Sequence, residues 1–393
     1  MATQRIPHID PDTLAEEPRQ LFDRWCGNRA PLNIFLTYFY NAELNQNWAV
    51  MAGHLFFENS LSNRQREIIV LRATWICGSD YEFVRHINVV RRDKLLNEDE
   101  VHDLTMSDLR CAWSDEERAL VKAVDELLQD HKVGDDSWEV LSRSLNEHQL
   151  LDVLVTAGGY TLNSMATNSF GVALESDITA EHGLTPSDVR KKEHAAMSVS
   201  KTTAIESLKE NARLAPLSLS QLDSETKEFI EPRYEAADTK NILMTLARYP
   251  DLLKSWMPIT RYVFNESALA FPDIELICLR TTWLCQADYE FTHHAIIALT
   301  RGLNSDQVNN IPRGSTADCY CAQQKLLLDG VDQLVTGKNI NDELWLALSD
   351  HYDSKQLMDI VFTCGNYFMI SLVQKSLCIE LEDATPLHQA FRG

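Results

Sequence analysis

Apolar residues recur every three to four positions over most of the chain. Residues 115–130, DEERALVKAVDELLQD, place six apolar side chains on one stripe: Ala119, Leu120, Ala123, Val124, Leu127 and Leu128. This spacing is typical of an amphipathic α-helix with one face in a core. The stretches REIIVLRATWIC, SWEVLSRSL and HQLLDVLVTAGGYTLNSMATNSF behave in the same way. No segment shows a convincing alternation with period two, so the pattern predicts an all-α fold.

The chain also repeats itself. A shift of 208 positions aligns it without gaps from Arg5 and Arg213 as far as His86 and His294. Over the 20 positions that end at these two histidines, 12 are identical. A repeat of this length indicates one folded unit used twice rather than a single large domain.

The repeat predicts the domain boundaries. Beyond residue 301 the shift becomes 207, and the similarity continues almost to the end of the chain. We therefore expect a first domain at residues 5–176 and a second at 213–384. The segment between them, 177–212, is rich in Lys, Glu and Ser, which predicts a polar and partly helical linker.

Composition narrows the range of partners. The 393 residues carry a formal net charge of -22, which disfavours binding to nucleic acids or to anionic membranes. No uninterrupted apolar run reaches the roughly 18 residues that a membrane span needs. We expect a small-molecule substrate, with no nucleic acid and no membrane as partner.

Cysteine usage indicates the compartment. The nine cysteines are scattered, and none forms a CxxC motif. Such a pattern favours buried thiols in a reducing cytoplasm over a disulfide framework. The N-terminal stretch MATQRIPHIDPDTL has no apolar segment of the kind found in secretory signals. The expected location is therefore cytoplasmic.

A charged pair recurs in both repeats. If residues 67–86 form a helix, Glu67, Glu82 and His86 lie on one side of it. Glu82 and His86 are four residues apart, so their side chains lie within reach of each other. A carboxylate beside an imidazole favours the imidazolium and forms a general acid/base pair. The same spacing returns at Glu290 and His294.

Three stretches carry a resemblance to a known family: LRATWICGSDYEFVRH, AVDELLQDHKVGDDSWEVL and LLDVLVTAGGYTLNSMATNSFGVALE. Each repeat resembles the carboxymuconolactone decarboxylase superfamily, whose other well-known branch is the alkylhydroperoxidase D (AhpD) type. The resemblance implies two tandem all-α AhpD-like domains related by pseudo-twofold symmetry. Because members of the superfamily build rings, it also implies a homo-oligomer, a dimer or a trimer.

The AhpD-like branch has a site that resembles Glu-x11-Cys-x2-Cys-x3-His. In the first repeat this spacing falls on Glu67, Ser79, Glu82 and His86. In the second it falls on Glu275, Ala287, Glu290 and His294. Both redox cysteines are therefore absent, while the Glu and His that handle protons remain. The decarboxylase branch also lacks the cysteine pair, and it performs acid/base chemistry on a small organic acid.

These observations give a set of candidate residues. The candidate catalytic residues are His86, Glu82, Glu67, His294, Glu290 and Glu275. The candidate substrate-binding residues are Trp75, Ser79, Tyr160, His54, Trp283 and Tyr367. No cofactor and no metal are expected, because a Glu and a His four residues apart supply too few ligands for a metal site.

Structural interpretations compete with several of these assignments. Ser79-x-x-Glu82 is also a capping box that starts a helix, although Ala287 cannot cap in the second repeat. Glu67 could instead pair with Arg72. The histidines could be satisfied core residues, and the aromatic residues could be core first and pocket walls second. A structural role is also favoured for two pairs of aspartates, Asp125/Asp332 and Asp152/Asp359.

The two repeats differ in polarity. The first has Ser79, His54 and Asn163 where the second has Ala287, Tyr262 and Ile370. The first repeat is therefore the better candidate for chemistry. The function that we expect is a cofactor-free lyase or isomerase acting on a small organic acid or carbonyl compound. The alternatives are an AhpD-type peroxidase and a non-catalytic binding or scaffold protein.

Overall fold

The computed structural model describes residues 4–27, 30–176, 185–186, 212–236 and 239–382. The predicted linker, 177–212, lies almost entirely outside the described residues, as do the last two residues of the second repeat. All regular structure in the described part is helical, which confirms the all-α prediction. One helix, Ser354–Leu377, is long and apolar enough to cross a membrane, but 89% of its most apolar window is buried inside the protein.

Two runs of helices follow each other along the chain. The first run contains α1 (Glu16–Cys26), α2 (Asn33–Tyr38), α3 (Ala42–Gly53), α4 (Asn63–Cys77), α5 (Asp80–Asp93), α6 (Glu98–Asp103), α7 (Asp115–Gln129), α8 (Asp135–Ser144) and α9 (Glu147–Phe170). The second contains α10 (Ser224–Ala236), α11 (Lys240–Leu246), α12 (Pro250–Asn265), α13 (Phe271–Leu284), α14 (Asp288–Thr300), α15 (Ser305–Asn309), α16 (Ala322–Gly337), α17 (Asp342–Ser349) and α18 (Ser354–Leu377). Short 3-10 helices lie at Pro11–Thr13, Phe39–Asn41, Leu219–Gln221 and Ile311–Thr316, and a π-helical turn lies at His54–Glu58.

The two long helices α9 and α18 pack against each other at the centre of the protein. Gly158 on α9 faces Met369, and Gly365 on α18 faces Leu162. A Cβ atom at these glycines would lie 2.6 and 2.5 Å from the nearest side-chain carbon, so only glycine permits this approach. Because Gly365 and Met369 occupy the positions that the 207-residue shift pairs with Gly158 and Leu162, the contact has twofold symmetry.

A pair of arginines ties the repeats together in the same symmetric way. Arg5 donates to the carbonyl of Ile340 and forms an ion pair with Asp342. Arg213, its equivalent, donates to the carbonyl of Val133 and pairs with Asp135. Each arginine thus extends from its own repeat and contacts the start of the equivalent helix in the other repeat.

The helix expected over residues 67–86 is broken in the structure. Gly78 has φ +66°, a left-handed conformation that glycine adopts easily, and it ends α4. Ser79 then caps the start of α5. The consequence is that α5 turns back and packs against α4. Glu67 and His86 therefore meet across two helices and not along one.

Candidate functional site

A buried carboxylate binds a histidine between α4 and α5. Nδ1 of His86 lies 2.7 Å from Oε2 of Glu67, and the Glu67 side chain is fully buried. Burial raises the pKa of Glu67, but the charges and hydrogen bonds of His86 and Arg66 outweigh it and leave this pKa lowered. Glu67 is therefore an ionised acceptor, and the Nδ1–H of His86 donates to it. This arrangement leaves Nε2 of His86 as the atom that can exchange a proton.

The second repeat contains the same contact. Nδ1 of His294 lies 2.8 Å from Oε2 of Glu275, which is also fully buried. Burial lowers the pKa of His294, but Glu275 and then Glu290 outweigh it and leave this pKa raised. We call Glu67, His86 and Glu82 the first site, and Glu275, His294 and Glu290 the second site.

The hydrogen-bond partner of the histidine differs from the one expected. Oε2 of Glu82 lies 3.9 Å from Nε2 of His86, and the corresponding distance at Glu290 is 3.6 Å. Both distances exceed a hydrogen bond, although the groups remain close enough to feel each other's charge. Glu67, which could equally have paired with Arg72, is the residue that orients the ring. Arg72 instead forms a bidentate ion pair with Asp125.

The two carboxyl groups of the first site have opposite electrostatic environments. Burial raises the pKa of Glu82, and the nearby charges of His86 and Arg85 oppose this only in part. Its Oε1 atom is buried and has no hydrogen-bond partner. Burial also raises the pKa of Glu290 in the second site, against the charges of His294 and His293. Two carboxyls whose pKa values are pushed apart, such as Glu67 and Glu82, suit an acid and a base role.

Helix capping does not account for Glu82. The Ser79 hydroxyl accepts a hydrogen bond from the backbone N–H of Glu82 at 3.3 Å. A capping box would also need the Glu82 carboxylate to accept the Ser79 N–H, which donates to the carbonyl of Thr74 instead. In the second repeat Gln374 supplies the cap, because its Oε1 accepts the N–H of Glu290 at 3.1 Å. The glutamate side chain thus has no capping role in either repeat.

Of the aromatic candidates, the tyrosines line the sites. Tyr160 presents its ring edge-on to His86, with ring centres 4.8 Å apart. Tyr367 does the same to His294 at 4.8 Å. Trp75 instead packs on Phe83 at 5.2 Å, and Trp283 packs on Phe291 at 5.6 Å. The tryptophans therefore anchor the histidine helix to the one before it.

Two further candidates have structural contacts. Nε2 of His54 lies 2.8 Å from Asp152, and its ring packs against Tyr249 of the second repeat. These contacts place His54 in the contact region between the repeats. Ser79 is fully buried, where it caps α5 and bonds to the hydroxyl of Thr167. Both side chains thus bond to residues outside the first site.

The sequence analysis missed Arg66, Phe56 and Tyr38. Arg66 donates twice to Oε1 of Glu67, at 2.8 and 3.0 Å. Its guanidinium lies 4.8 Å from the ring centre of Phe56, which packs on His86. Tyr38 donates to Asn163 at 3.3 Å and lies near Glu82. The alignment held a signal for two of them, because Ile274 and Leu246 replace Arg66 and Tyr38 in the second repeat.

The cysteines are not arranged for dithiol chemistry. Cys77 is buried and lies 3.7 Å from the hydroxyl of Thr161. Burial raises the pKa of Cys285, its equivalent, to about 11, so this thiol stays protonated. Among the residues that the structure describes, no group of three or more His, Cys, Asp or Glu side chains is placed to hold a metal ion.

The comparison with protein families matches part of the chain. Residues 42–126 match the model of the carboxymuconolactone decarboxylase family. This partial match agrees with the superfamily that the motifs predict. The match covers part of the first repeat and includes Glu67, Glu82 and His86. No curated protein matches the chain.

Two solved structures are similar to part of the chain. One is described as an AhpD core, an uncharacterized peroxidase-related protein from Ralstonia eutropha JMP134. It shares 15% identity, with 43% of this chain and 93% of that chain covered and a TM-score of 0.39. The other is an uncharacterized peroxidase-related protein from Silicibacter sp. TM1040. It shares 18% identity, with 49% of this chain and all of that chain covered and a TM-score of 0.40.

Proposed function

We propose that the chain is a cofactor-free lyase or isomerase that moves a proton on a small organic acid or carbonyl compound. The first site performs the chemistry, with His86 as the proton-transferring group. The observation that carries this proposal is the buried hydrogen bond of 2.7 Å between His86 and Glu67, which fixes the ring and leaves Nε2 available.

His86 acts as the general base in this mechanism. Glu67 holds the tautomer with the proton on Nδ1, so Nε2 carries the lone pair. A substrate carbon next to a carbonyl or carboxylate gives its proton to Nε2, and the resulting imidazolium is stabilised by the Glu67 carboxylate. In an isomerisation the same nitrogen returns the proton to another carbon of the product, and in an elimination it gives the proton to the leaving group as that group departs.

Glu82 supplies the complementary acid. Since burial raises its pKa, this carboxyl keeps its proton to a higher pH than an exposed glutamate does. It faces Nε2 of His86 from 3.9 Å, so a reacting group beside the ring meets both residues. A neutral carboxyl donates a hydrogen bond to the oxygen on which negative charge develops, and this stabilises an enolate-like intermediate.

The site suits a small substrate. The side chains of His86 and Glu82 each keep 7% of their surface exposed, so the opening is narrow. Tyr160 covers one side of the imidazole ring, while the Tyr38–Asn163 pair adds polar atoms that the second site lacks. These features support the first site, rather than the second, as the place of reaction.

A thiol peroxidase fits the described residues less well. The positions of the two redox cysteines hold Ser79 and Glu82 in the first repeat, and Ala287 and Glu290 in the second. Cys77 and Cys285 are buried, and neither belongs to a CxxC motif. A protonated, buried thiol is a poor nucleophile toward a hydroperoxide.

Hydrogen exchange in deuterated water tests the proposal even while the full reaction is unidentified. The parent protein is incubated with a panel of small oxo and unsaturated acids, and loss of the proton next to the carbonyl is followed by NMR. We expect catalysed exchange for at least one acid, and we expect Glu82→Gln to slow it. Glu290→Gln, the matched change in the second site, should slow it less. No exchange with any acid of the panel would favour the non-catalytic alternative and overturn the proposal.

A further inference from the structure

The two sites differ in the residue that balances the buried carboxylate. In the first site Arg66 donates to one oxygen of Glu67, and His86 donates to the other. The residue in the place of Arg66 is Ile274, which is only 2% exposed. In the second site Oε1 of Glu275 is consequently buried without a hydrogen-bond partner, and His294 is its hydrogen-bonded neighbour.

The aromatic ring beside each histidine shows the same difference. In the first site the guanidinium of Arg66 lies over the face of Phe56, and that ring turns its edge to His86 at an interplanar angle of 75°. In the second site the equivalent ring, Phe264, lies nearly parallel to His294, at 19° and 5.8 Å. The face of an aromatic ring attracts a cation. The face of the phenylalanine ring thus packs against arginine in the first repeat and against histidine in the second.

We infer that Arg66 is a positioning residue which supplies the positive charge of the first site, and that His294 itself supplies this charge in the second. An ionised, buried carboxylate needs one cation beside it. Arg66 meets this need next to Glu67, so the charge balance there does not depend on His86. Near Glu275 the described residues offer no arginine, and the imidazolium of His294 takes that role.

The other titratable groups around the two rings differ less between the two sites. The titratable groups near His86 and its two carboxyls are Glu67, Arg66, Glu82, Arg85, Tyr160, Tyr38 and Arg92, and Arg92 is already paired with Asp93. Those near His294 and its two carboxyls are Glu275, Cys278, Glu290, His293, Tyr367 and Glu382. The buried carboxyl and tyrosine occur in both sets, and Glu382 pairs with His293 at 2.9 Å. The arginine therefore remains the main difference in charge next to the buried carboxylate.

Because of this difference in charge, the two sites have different chemical roles. An imidazole that is not needed to balance the carboxylate is available to accept a proton, so the first site suits a base. A standing imidazolium donates a proton or a charged hydrogen bond, and the second site is an acid. This division rests on the proposed function, whereas the charge states can be measured without any substrate.

NMR titration of the histidine rings tests the inference. The protein is labelled at histidine Cε1 and titrated from about pH 5 to 9, with His86→Gln and His294→Gln used to assign the two signals. We expect His294 to titrate at the higher pH. Arg66→Ile, which copies the second repeat, should move the midpoint of His86 upward by about one pH unit or more, a roughly tenfold gain in proton affinity.

The control is Arg143→Ile on α8, which removes one positive charge at an exposed position. It should leave both midpoints in place. If Arg66→Ile does not fold, Arg66→Gln removes the same charge and carries the same expectation. Equal midpoints in the parent protein, or a folded Arg66 variant with an unchanged His86, would overturn the inference. Expected titrations without any hydrogen exchange would leave the charge inference intact and remove the proposed function.

Discussion

Replacing Glu67 by Gln should destabilise the protein more than the matched change in the second repeat. Glu67 is fully buried and accepts hydrogen bonds from Arg66 and His86. Glu67→Gln keeps the shape of the side chain but leaves the Arg66 charge, whose side chain is only 7% exposed, without its counterion. Removing one partner of a buried ion pair costs about 3–5 kcal/mol. We therefore expect a loss near 3 kcal/mol, because Arg66 retains bonds to Phe56 and Asn63.

The matched control is Glu275→Gln, because the described structure places no arginine beside Glu275. Glu275→Gln removes one hydrogen bond to a charged group, and such a bond contributes about 1.5–3 kcal/mol to stability. Part of this loss is recovered, since His294 can give up its proton when the carboxylate is gone. The assay is urea unfolding at pH 7, with the midpoints of parent and both variants compared. Equal shifts of the two midpoints, or a larger shift for Glu275→Gln, would refute this account of Arg66.

Three further outcomes follow from the structure. Cys77→Ser should not change hydroperoxide turnover with a dithiol reductant, because we expect none in the parent; thiol-dependent turnover that this variant abolishes would contradict the proposed chemistry. Gly158→Ala should lower the free energy of unfolding by about 1–3 kcal/mol, since its Cβ meets Met369 at 2.6 Å. Gly53→Ala, with nothing within 4 Å, should instead raise it by about 0.5–1 kcal/mol; thermal melting compares the two, and equal effects would argue against the close contact between α9 and α18. Burial raises the pKa of Asp359 to about 6, so the folded state holds this proton more tightly than the unfolded chain does. The unfolding free energy should therefore fall by up to about 3 kcal/mol as the pH rises from 4 to 6. Asp359→Asn should remove this pH dependence in a series of urea titrations.

Helical periodicity and the repeat could be read from the sequence because both depend on local order along the chain. The amphipathic stripe of residues 115–130 falls on α7, which buries Leu120, Val124 and Leu127. The break at Gly78 was harder to predict. Apolar periodicity continues across it, and the left-handed conformation of one glycine interrupts the helix without disturbing the pattern on either side.

The partners within the site depend on tertiary contacts that spacing does not determine. Glu82 lies four residues before His86, so local spacing favoured that pair. The turn at Gly78 brings Glu67 to the ring instead, from the neighbouring helix. The contact between Arg66 and Glu67 was not predicted because the two residues are adjacent in sequence, and adjacent residues on a helix do not face each other. Its guanidinium reaches Glu67 by folding back over Phe56.

The measurement that bears most directly on the central claim is the effect of His86→Ala and His294→Ala on the exchange rate of a responsive acid. Positioned acid/base catalysis contributes about 10²–10⁴-fold, so His86→Ala should lower the rate by about that factor with unchanged helical content. His294→Ala should cost less, because the first site performs the proton transfer. If both folded variants exchange the proton as fast as the parent, the Glu67–His86 pair is structural and the account of its chemistry is wrong.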